Sequence, residues 1–394
     1  MLRPPPLALY IHFPWCVRKC PYCDFNSHAL RDELPESQYL EALEQDLAFQ
    51  CAPLIGRRIV SVFLGGGTPS LFSPQAIARV LGAARRHLDI PADAEVTLEA
   101  NPGTIERGRF AEYRACGINR VSLGAQSFDQ KQLHALGRIH SADETRRAAE
   151  ELHAAGLSNF NIDLMYALPG QDAAGALNDI EEALRLAPMH LSHYQLTIEA
   201  GTVFAANPPA LPSDDAAAQI LEACQRRLKD AQFYQYEVSA YARSGFECQH
   251  NLNYWRFGDY LGVGAGAHGK LSLGSAQGIV RSVQWRDPRR YMAGAPRALT
   301  RTRVATRDLP FEFMLNALRL LEGFAIESFE VRTGLPWGTI AATVASLVAR
   351  GLIELDGDRC RPSAHGLLFL NDTLLAFLPK NAATAELSEL STAS

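Results

Sequence analysis

Cys16, Cys20 and Cys23 put three thiols within eight residues, "CVRKCPYC", and Phe25 follows where a fourth could stand. Three readings fit such a trio. Thiolates hold iron–sulfur clusters, and a cubane with three protein ligands leaves one iron open to a small molecule. Structural zinc takes four protein ligands, so His12 or His28 would have to close that site. The third reading is unligated thiols. Further along, Gly65-Gly66-Gly67-Thr68-Pro69 forms a second unusual stretch. Consecutive glycines let backbone approach a ligand, and their N–H groups can hold a carboxylate or an amine. A simple tight turn would need fewer. Glu99 and Asp163 suit ribose hydroxyls, with solvated loop carboxylates as the plain alternative.

These residues need elements to position them. Short apolar runs rich in β-favouring residues predict six strands: Leu7 to Phe13, Ile59 to Leu64, Glu95 to Leu98, Arg120 to Leu123, Asn159 to Met165 and His190 to Thr197. Amphipathic stretches between them predict helices over Glu36 to Gln50, Gln75 to Leu88, Ile105 to Cys116, Ala142 to Ala155 and Ala173 to Leu186. Strand–helix–strand at this spacing is the βαβ signature of a parallel sheet, open or closed. Each strand ends in chemistry-bearing residues: the thiols after the first and the glycines after the second. Glu99 and Asn101-Pro102 follow the third, Gln126-Ser127 the fourth, Asp163 closes the fifth, and Gln195 to Thr197 the sixth. In a parallel β/α barrel such ends open onto one face, where active sites form.

The 394 residues are enough for two or so domains at about 100–200 residues each. No apolar stretch reaches the roughly 18 residues of a spanning helix, and the proline-rich start lacks a cleavage site, which predicts a cytoplasmic protein. Cys51, Cys116, Cys224, Cys248 and Cys360 are scattered singly, unlike a disulfide framework. A net charge of -5 argues against a generic nucleic-acid binder.

C-x3-C-x2-C after a first strand, with Tyr22 before the last cysteine and G-G-G-T-P after the second strand, resembles the radical S-adenosylmethionine (SAM) superfamily. "YIHFPWC", "GGGTPS", "EANPGT", "GAQSF", "LGRIH", "NIDLMYALPGQ" and "GVGAGAHG" resemble its oxygen-independent coproporphyrinogen III oxidase branch over almost the whole chain, and within it the heme-chaperone group. The resemblance implies an α/β fold: a partial (β/α)6 TIM-like barrel over residues 1–270, a connector over 271–307, and a small winged-helix-like domain over 308–378. It implies that Cys16, Cys20 and Cys23 bind three irons of a 4Fe-4S cluster whose fourth iron takes SAM. Tyr10, Tyr22, Gly66, Gly67, Thr68, Glu99, Gln126, Arg138, Asp163, Thr197 and His268 match the family's SAM-contact positions. One-electron reduction of the cluster would then cleave SAM to methionine and a 5′-deoxyadenosyl radical. The decarboxylases of this branch carry a cysteine where Phe25 stands here, and an N-terminal arm for which this chain has no room. The expected activity is therefore transfer of heme to an acceptor hemoprotein, with anaerobic decarboxylation of coproporphyrinogen III as the alternative. A zinc-stabilised barrel with a regulatory winged helix is a third reading.

His250-Asn251-Leu252-Asn253-Tyr254-Trp255 matches the H-N-x-x-Y-W signature of the heme-chaperone group. Imidazole is a common axial heme ligand, and Tyr254 and Trp255 could flank the macrocycle. Cys248 is the rival ligand, and a hydrogen-bonded core histidine is the plain alternative. Arginines from Arg281 to Arg307 could meet heme propionates or an acidic partner, or form a solvated basic face. Beyond them, Leu309 to Leu321, Ile326 to Thr333, Pro336 to Arg350 and the "GLIELDGDRCRPSAHG" hairpin resemble a winged helix with a presumed recognition helix too apolar for DNA. Residues 379–394 are polar and small, and predict disorder. The expected partners are heme, a respiratory, membrane-associated acceptor, an electron donor for the cluster and a second copy of the chain. Peripheral placement at the inner membrane would come through the acceptor.

Overall fold

Alternate residues of the first strand, β1 (Leu7–Phe13), have opposite fates. Leu7, Leu9, Ile11 and Phe13 join one large apolar core, whereas Tyr10 and His12 carry polar atoms on the other face. The same parity recurs in β2 (Ile59–Gly66), β3 (Glu95–Ala100), β4 (Arg120–Gln126), β5 (Phe160–Tyr166) and β6 (His190–Gln195). Val62, Leu64, Val96, Leu98, Val121, Leu123, Ile162 and Leu191 pack into the core. Ser61, Glu95, Glu99, Arg120, Ser122, Asn161, Asp163 and His190 take the opposite parity. Both faces of these strands are covered, as expected for a parallel sheet under helices.

The protein is a computed structural model, described for residues 4–379 except 55, 104–107, 275–276 and 298. The start of the helix expected from Ile105 and residues 380–394 of the expected tail lie outside those residues. The covering helices are α1 (Glu36–Cys51), α2 (Pro74–His87), α3 (Phe110–Ala115), α4 (Gln130–Ala135), α5 (Ala142–Ala154) and α6 (Ala173–Arg185). Their starts are chemically fixed. Ser73 caps α2 by accepting from the Ala76 N–H at 3.1 Å with Pro74 in the first turn, and Ser141 and Glu144 form a capping box on α5. Ile77, Val80, Leu81 and Ala84 recur at helical spacing and bury one face of α2.

The sheet is larger than the six expected strands. The chain continues through α7 (Asp214–Asp230), β7 (Tyr234–Glu237), β8 (Ala240–Ala242), α8 (Gln249–Trp255), β9 (Asp259–Val263) and β10 (His268–Ser272). It then forms β11 (Ile279–Val283), α9 (Pro288–Gly294) and β12 (Thr300–Arg303). Twelve strands run in the order β12-β11-β10-β9-β1-β2-β3-β4-β5-β6-β8-β7. β9 pairs parallel to β1, making a seventh parallel strand, and the outermost strands on both sides are antiparallel. The expected boundary at residue 270 falls inside β10, and the arginine-rich connector contributes β11 and β12 to the sheet. Positively charged residues there still face outward in β12, whose four residues are exposed.

A second buried cluster gathers Phe313, Met314, Phe324, Phe329, Val344, Leu347 and Cys360. It is built by α10 (Leu309–Ala317), β13 (Phe324–Ala325), α11 (Ile326–Thr333), α12 (Ala341–Ala349) and the hairpin β14 (Ile353–Asp356)–β15 (Arg359–Pro362). This is the helix and hairpin order expected of a winged helix. No helix among the described residues is long and apolar enough to cross a membrane.

Candidate cluster and SAM site

The loop after β1 carries the thiols and is tied back to its own strand. Trp15–Cys16 pairs with His28–Ala29, and the Gly67 and Thr68 N–H groups donate to the Phe13 and Trp15 carbonyls at 2.7 and 2.8 Å. This close approach explains the glycine at 67, where a Cβ would meet the Trp15 carbonyl oxygen at 2.5 Å. Gly66 has φ +115°, and a Cβ there would strike the His12 ring at 2.4 Å. Its N–H donates to Glu99 Oε2 at 2.9 Å. The triple glycine thus presents backbone to the space above β2 with no side chain in between.

That space is a cavity of about 330 Å³ at the carboxyl ends of the strands. Cys16, Cys20, Cys23, Tyr22, Gly66, Gly67, Glu99, Gln126, Arg138, Asp163 and Thr197 all line it, brought together from six strand ends. Thr68 lines a smaller adjoining cavity with Cys16, Cys20 and Arg138. Tyr10 and His268 lie elsewhere, in a third cavity that shares Asp24, Phe25, Gly66 and Glu99 with the first. His12 is closed to a metal by its hydrogen bonds: Nδ1 pairs with the Tyr10 hydroxyl and Nε2 with the Asn26 carbonyl, both at 2.9 Å. His28 faces a different groove. Zinc closure by either histidine is therefore not what the geometry provides.

The site's electrostatics follow from burial. Desolvation pushes Glu99 up to about 7, opposed by the Gly66 N–H and reinforced by the nearby Asp163 charge. Desolvation also raises Asp163, against hydrogen bonds from Asn161, Ser192 and Ser122. Burial pushes the Cys16 thiol up to about 11, with the Thr68 hydroxyl pulling it down. Arg138 supplies a fixed positive charge 3.6 Å from Cys20 Sγ. Its guanidinium is held by the Gly124 carbonyl at 2.6 Å and by Asn101, which also donates to Thr68 Oγ1 at 2.8 Å. Gln126, at φ +70°, accepts from the Tyr194 hydroxyl at 2.6 Å. Asn101 was expected only as a chemistry-bearing residue at the end of the third strand, without a role, and Tyr194 was not expected at all. Both lie at or just beyond strand ends, the positional signal that identified Glu99 and Asp163.

The H-N-x-x-Y-W segment forms the helix α8, packed into the end of the strand interior opposite this cavity. The Glu95 carboxylate accepts from the Gln249 and His250 N–H groups at 3.0 and 3.1 Å and lies 3.9 Å from Arg120. His250 is 2% exposed. Its Nδ1 pairs with Ser61 Oγ at 3.0 Å, and its ring stacks on Phe63 at 4.9 Å and meets Tyr254 edge-on at 5.0 Å. Burial pushes its pKa down to about 3. Asn251 is half-buried, Cys248 is buried, and Trp255 lies under the Arg319 guanidinium at 4.3 Å. Of the expected heme residues, Tyr254 lines a cavity, the one shared with Tyr10 and His268. An axial role for His250 would require α8 to leave its place.

Comparison with known proteins places this geometry. Residues 10–187 match the Radical SAM superfamily model, and residues 304–369 match the HemN C-terminal domain. The chain is 48% identical to the heme chaperone HemW of Escherichia coli, over 96% of this chain and 100% of that one. It is 46% identical to the Haemophilus influenzae heme chaperone HemW over 96% and 99%, respectively. The mouse mitochondrial radical S-adenosyl methionine domain-containing protein 1 is 37% identical, over 95% of this chain and 87% of its own length. The structure of coproporphyrinogen III oxidase (HemN) from Escherichia coli superposes with a TM-score of 0.80 at 23% identity, covering 95% of this chain and 90% of that one, which establishes a shared fold. With near-complete coverage at 48% identity, the chain belongs to the HemW family of radical SAM proteins.

Proposed function

We propose that this chain is a heme chaperone that holds a 4Fe-4S cluster and SAM at the carboxyl ends of its strands and passes heme to an acceptor hemoprotein. The donor set supports the cluster. Cys16, Cys20 and Cys23 line one cavity without forming a gathered metal-ligand group among the described residues, both nitrogens of His12 are engaged elsewhere, and three thiolates on a cubane would leave one iron open. When bound, the cluster supplies one-electron chemistry to SAM.

The surrounding residues have distinct roles toward SAM. Gly66 and Gly67 admit its amino-acid end against the backbone, and Glu99 and Asp163 accept from ribose hydroxyls. Arg138 and Thr68 meet its carboxylate side, while Tyr22, Gln126 and Thr197 shape the remaining wall. The raised Glu99 suits this work, because a buried carboxyl with one N–H partner has acceptor capacity left for a hydroxyl. Heme delivery is supported by the full-length likeness to relatives named heme chaperone HemW. That likeness is the observation that carries the reading. We assign the acceptor to a respiratory, membrane-associated class, and the chain to the cytoplasm, reaching the inner membrane through that acceptor.

Two assays test the reading in sequence. Anaerobically purified protein is expected to contain about four irons and four sulfides per chain and no stoichiometric zinc. Heme-loaded protein is then expected to transfer its heme to an apo-hemoprotein. Stoichiometric zinc would refute the cluster assignment, and absence of heme uptake would refute the chaperone.

A further inference from the structure

Beneath Asp163 the strand interior holds a rung of polar side chains where apolar ones would pack at lower cost. Ser122 on β4, Asn161 on β5 and His190 on β6 are register partners across three parallel strands. Asp163 follows two residues after Asn161, on the same face of β5. Asn161 and His190 are each 1% exposed, and neither is among the residues lining the SAM cavity. Buried polar groups persist where their hydrogen bonds are made, and here they are made toward Asp163. The Asn161 Nδ2 donates to Asp163 Oδ1 at 2.8 Å and to Ser122 Oγ at 2.7 Å. The Ser122 hydroxyl donates to Asp163 Oδ2 at 3.1 Å. Each carboxylate oxygen thus receives one hydrogen bond and keeps capacity for a ligand hydroxyl.

The direction of this chain of contacts is set at its far end by a backbone donor. The Cys248 N–H, at the start of α8, donates to the Tyr236 hydroxyl oxygen at 3.3 Å, which leaves the hydroxyl hydrogen for His190 Nε2 at 2.8 Å. With Nε2 accepting, the neutral ring carries its proton on Nδ1. Burial keeps the ring neutral, holding its pKa well below the ordinary value, and the Arg120 charge acts the same way. The Nδ1–H then requires an acceptor, and Asn161 Oδ1 stands 2.7 Å away, also receiving the Ser192 hydroxyl at 3.1 Å. With Oδ1 so engaged, the Asn161 amide must turn its NH2 toward Asp163. The opposite rotamer would set a carbonyl oxygen against the carboxylate and the NH2 against the imidazole N–H, two repulsive contacts in place of two hydrogen bonds.

We propose that Asn161 and His190 are positioning residues for SAM: His190, oriented by Tyr236, locks the Asn161 amide as a donor to Asp163 and so keeps Asp163 an ionised acceptor for the ribose. The inference rests on the SAM reading above and extends it to residues that touch no ligand. Its far end is the first turn of α8, so the H-N-x-x-Y-W helix and the ribose end of the SAM site share one hydrogen-bonded support.

The test is a SAM titration of the full-length protein with a reconstituted cluster, wild type and variants, each paired with a thermal melt. His190→Ala releases the amide and should weaken SAM about tenfold, the scale of one charge-assisted hydrogen bond. Asn161→Leu, of similar shape but with no donor, should weaken it by about as much. His190→Gln, whose amide N–H can replace Nδ1–H, should stay within about threefold of the wild type. The discriminating measurement repeats His190→Ala beside Asp163→Ala. With no carboxylate to position, SAM affinity should then change less than about twofold, while the melt falls as far as in the single variant. Should His190→Ala fail to fold, Asn161→Leu beside Asp163→Ala makes the same comparison. Wild-type SAM affinity in either folded variant would overturn the proposal, as would an equal loss with and without Asp163, the mark of general damage to the fold. Neither result touches the SAM site itself, which a wild type that binds no SAM would overturn.

Discussion

Glu99→Gln separates what the site needs from what the fold prefers. Burial holds the Glu99 carboxyl up to about 7, against an ordinary 4.5. The folded state therefore binds this proton more tightly than the unfolded chain. Stability from the protonated form is full below about pH 4.5 and is lost as pH rises through 7. The difference of about 2.5 units corresponds to roughly 3 kcal/mol at 1.36 kcal/mol per unit, and partial exposure to the cavity brings it to about 2 kcal/mol. Glutamine keeps an acceptor for the Gly66 N–H and never ionises. Urea denaturation of the apo-protein should then give nearly equal stabilities for wild type and variant at pH 5, and a variant about 2 kcal/mol more stable at pH 8. SAM affinity should fall, because one amide oxygen replaces two carboxylate acceptors. A stability difference that does not change between pH 5 and 8 would show that Glu99 is not held in the desolvated state inferred from its surroundings.

Replacing Cys16, Cys20 and Cys23 together with Ala should abolish bound iron and sulfide, measured on anaerobically reconstituted protein, while leaving hemin binding in place. Glu95→Ala should cost about 3 kcal/mol or more in urea denaturation, since it uncaps α8 and leaves the buried Arg120 without its carboxylate. Gly67→Ala should disrupt the SAM site, read as lost SAM-induced change in the cluster's visible spectrum, because the new methyl meets the Trp15 carbonyl. Wild-type protein with a reduced cluster should leave coproporphyrinogen III unconverted by chromatography, with Phe25 in place of the oxidase thiol. Phe25→Cys alone should not confer conversion.

Much of this site was legible because strand ends are readable. The six strands from Leu7 onward were bounded to within a few residues, since buried parallel strands are apolar runs bracketed by turn signals. Convergence of Cys16, Gly66, Glu99, Gln126 and Asp163 then followed from handed βαβ topology, whereas Arg138, beyond α4, came only from the family resemblance. β9 escaped because "DYLGV" is five residues with an internal glycine, leading into a glycine-rich stretch that looked like a motif and not a strand. α7 escaped although Ser213 caps it and its buried Ala217, Ile220, Cys224 and Leu228 keep helical spacing. The direction of His250 could not be read. A histidine on a seven-residue helix has the same sequence whether it faces a cavity or a buried carboxylate cap, and only packing against Ser61 and Phe63 decides. Tyr10 and His268 line a neighbouring cavity that shares Asp24, Phe25, Gly66 and Glu99 with the one holding the thiols.

Heme delivery is the claim on which the assignment turns, and transfer to an acceptor measures it directly. Hemin-loaded protein with a reconstituted cluster is mixed anaerobically with an apo-hemoprotein, and the acceptor's Soret band is followed against a free-hemin control. A heme chaperone fills the acceptor faster than free hemin does and loses its own Soret band in step. Retention of heme by the loaded chain, or acceptor filling no faster than from free hemin, would contradict the assignment.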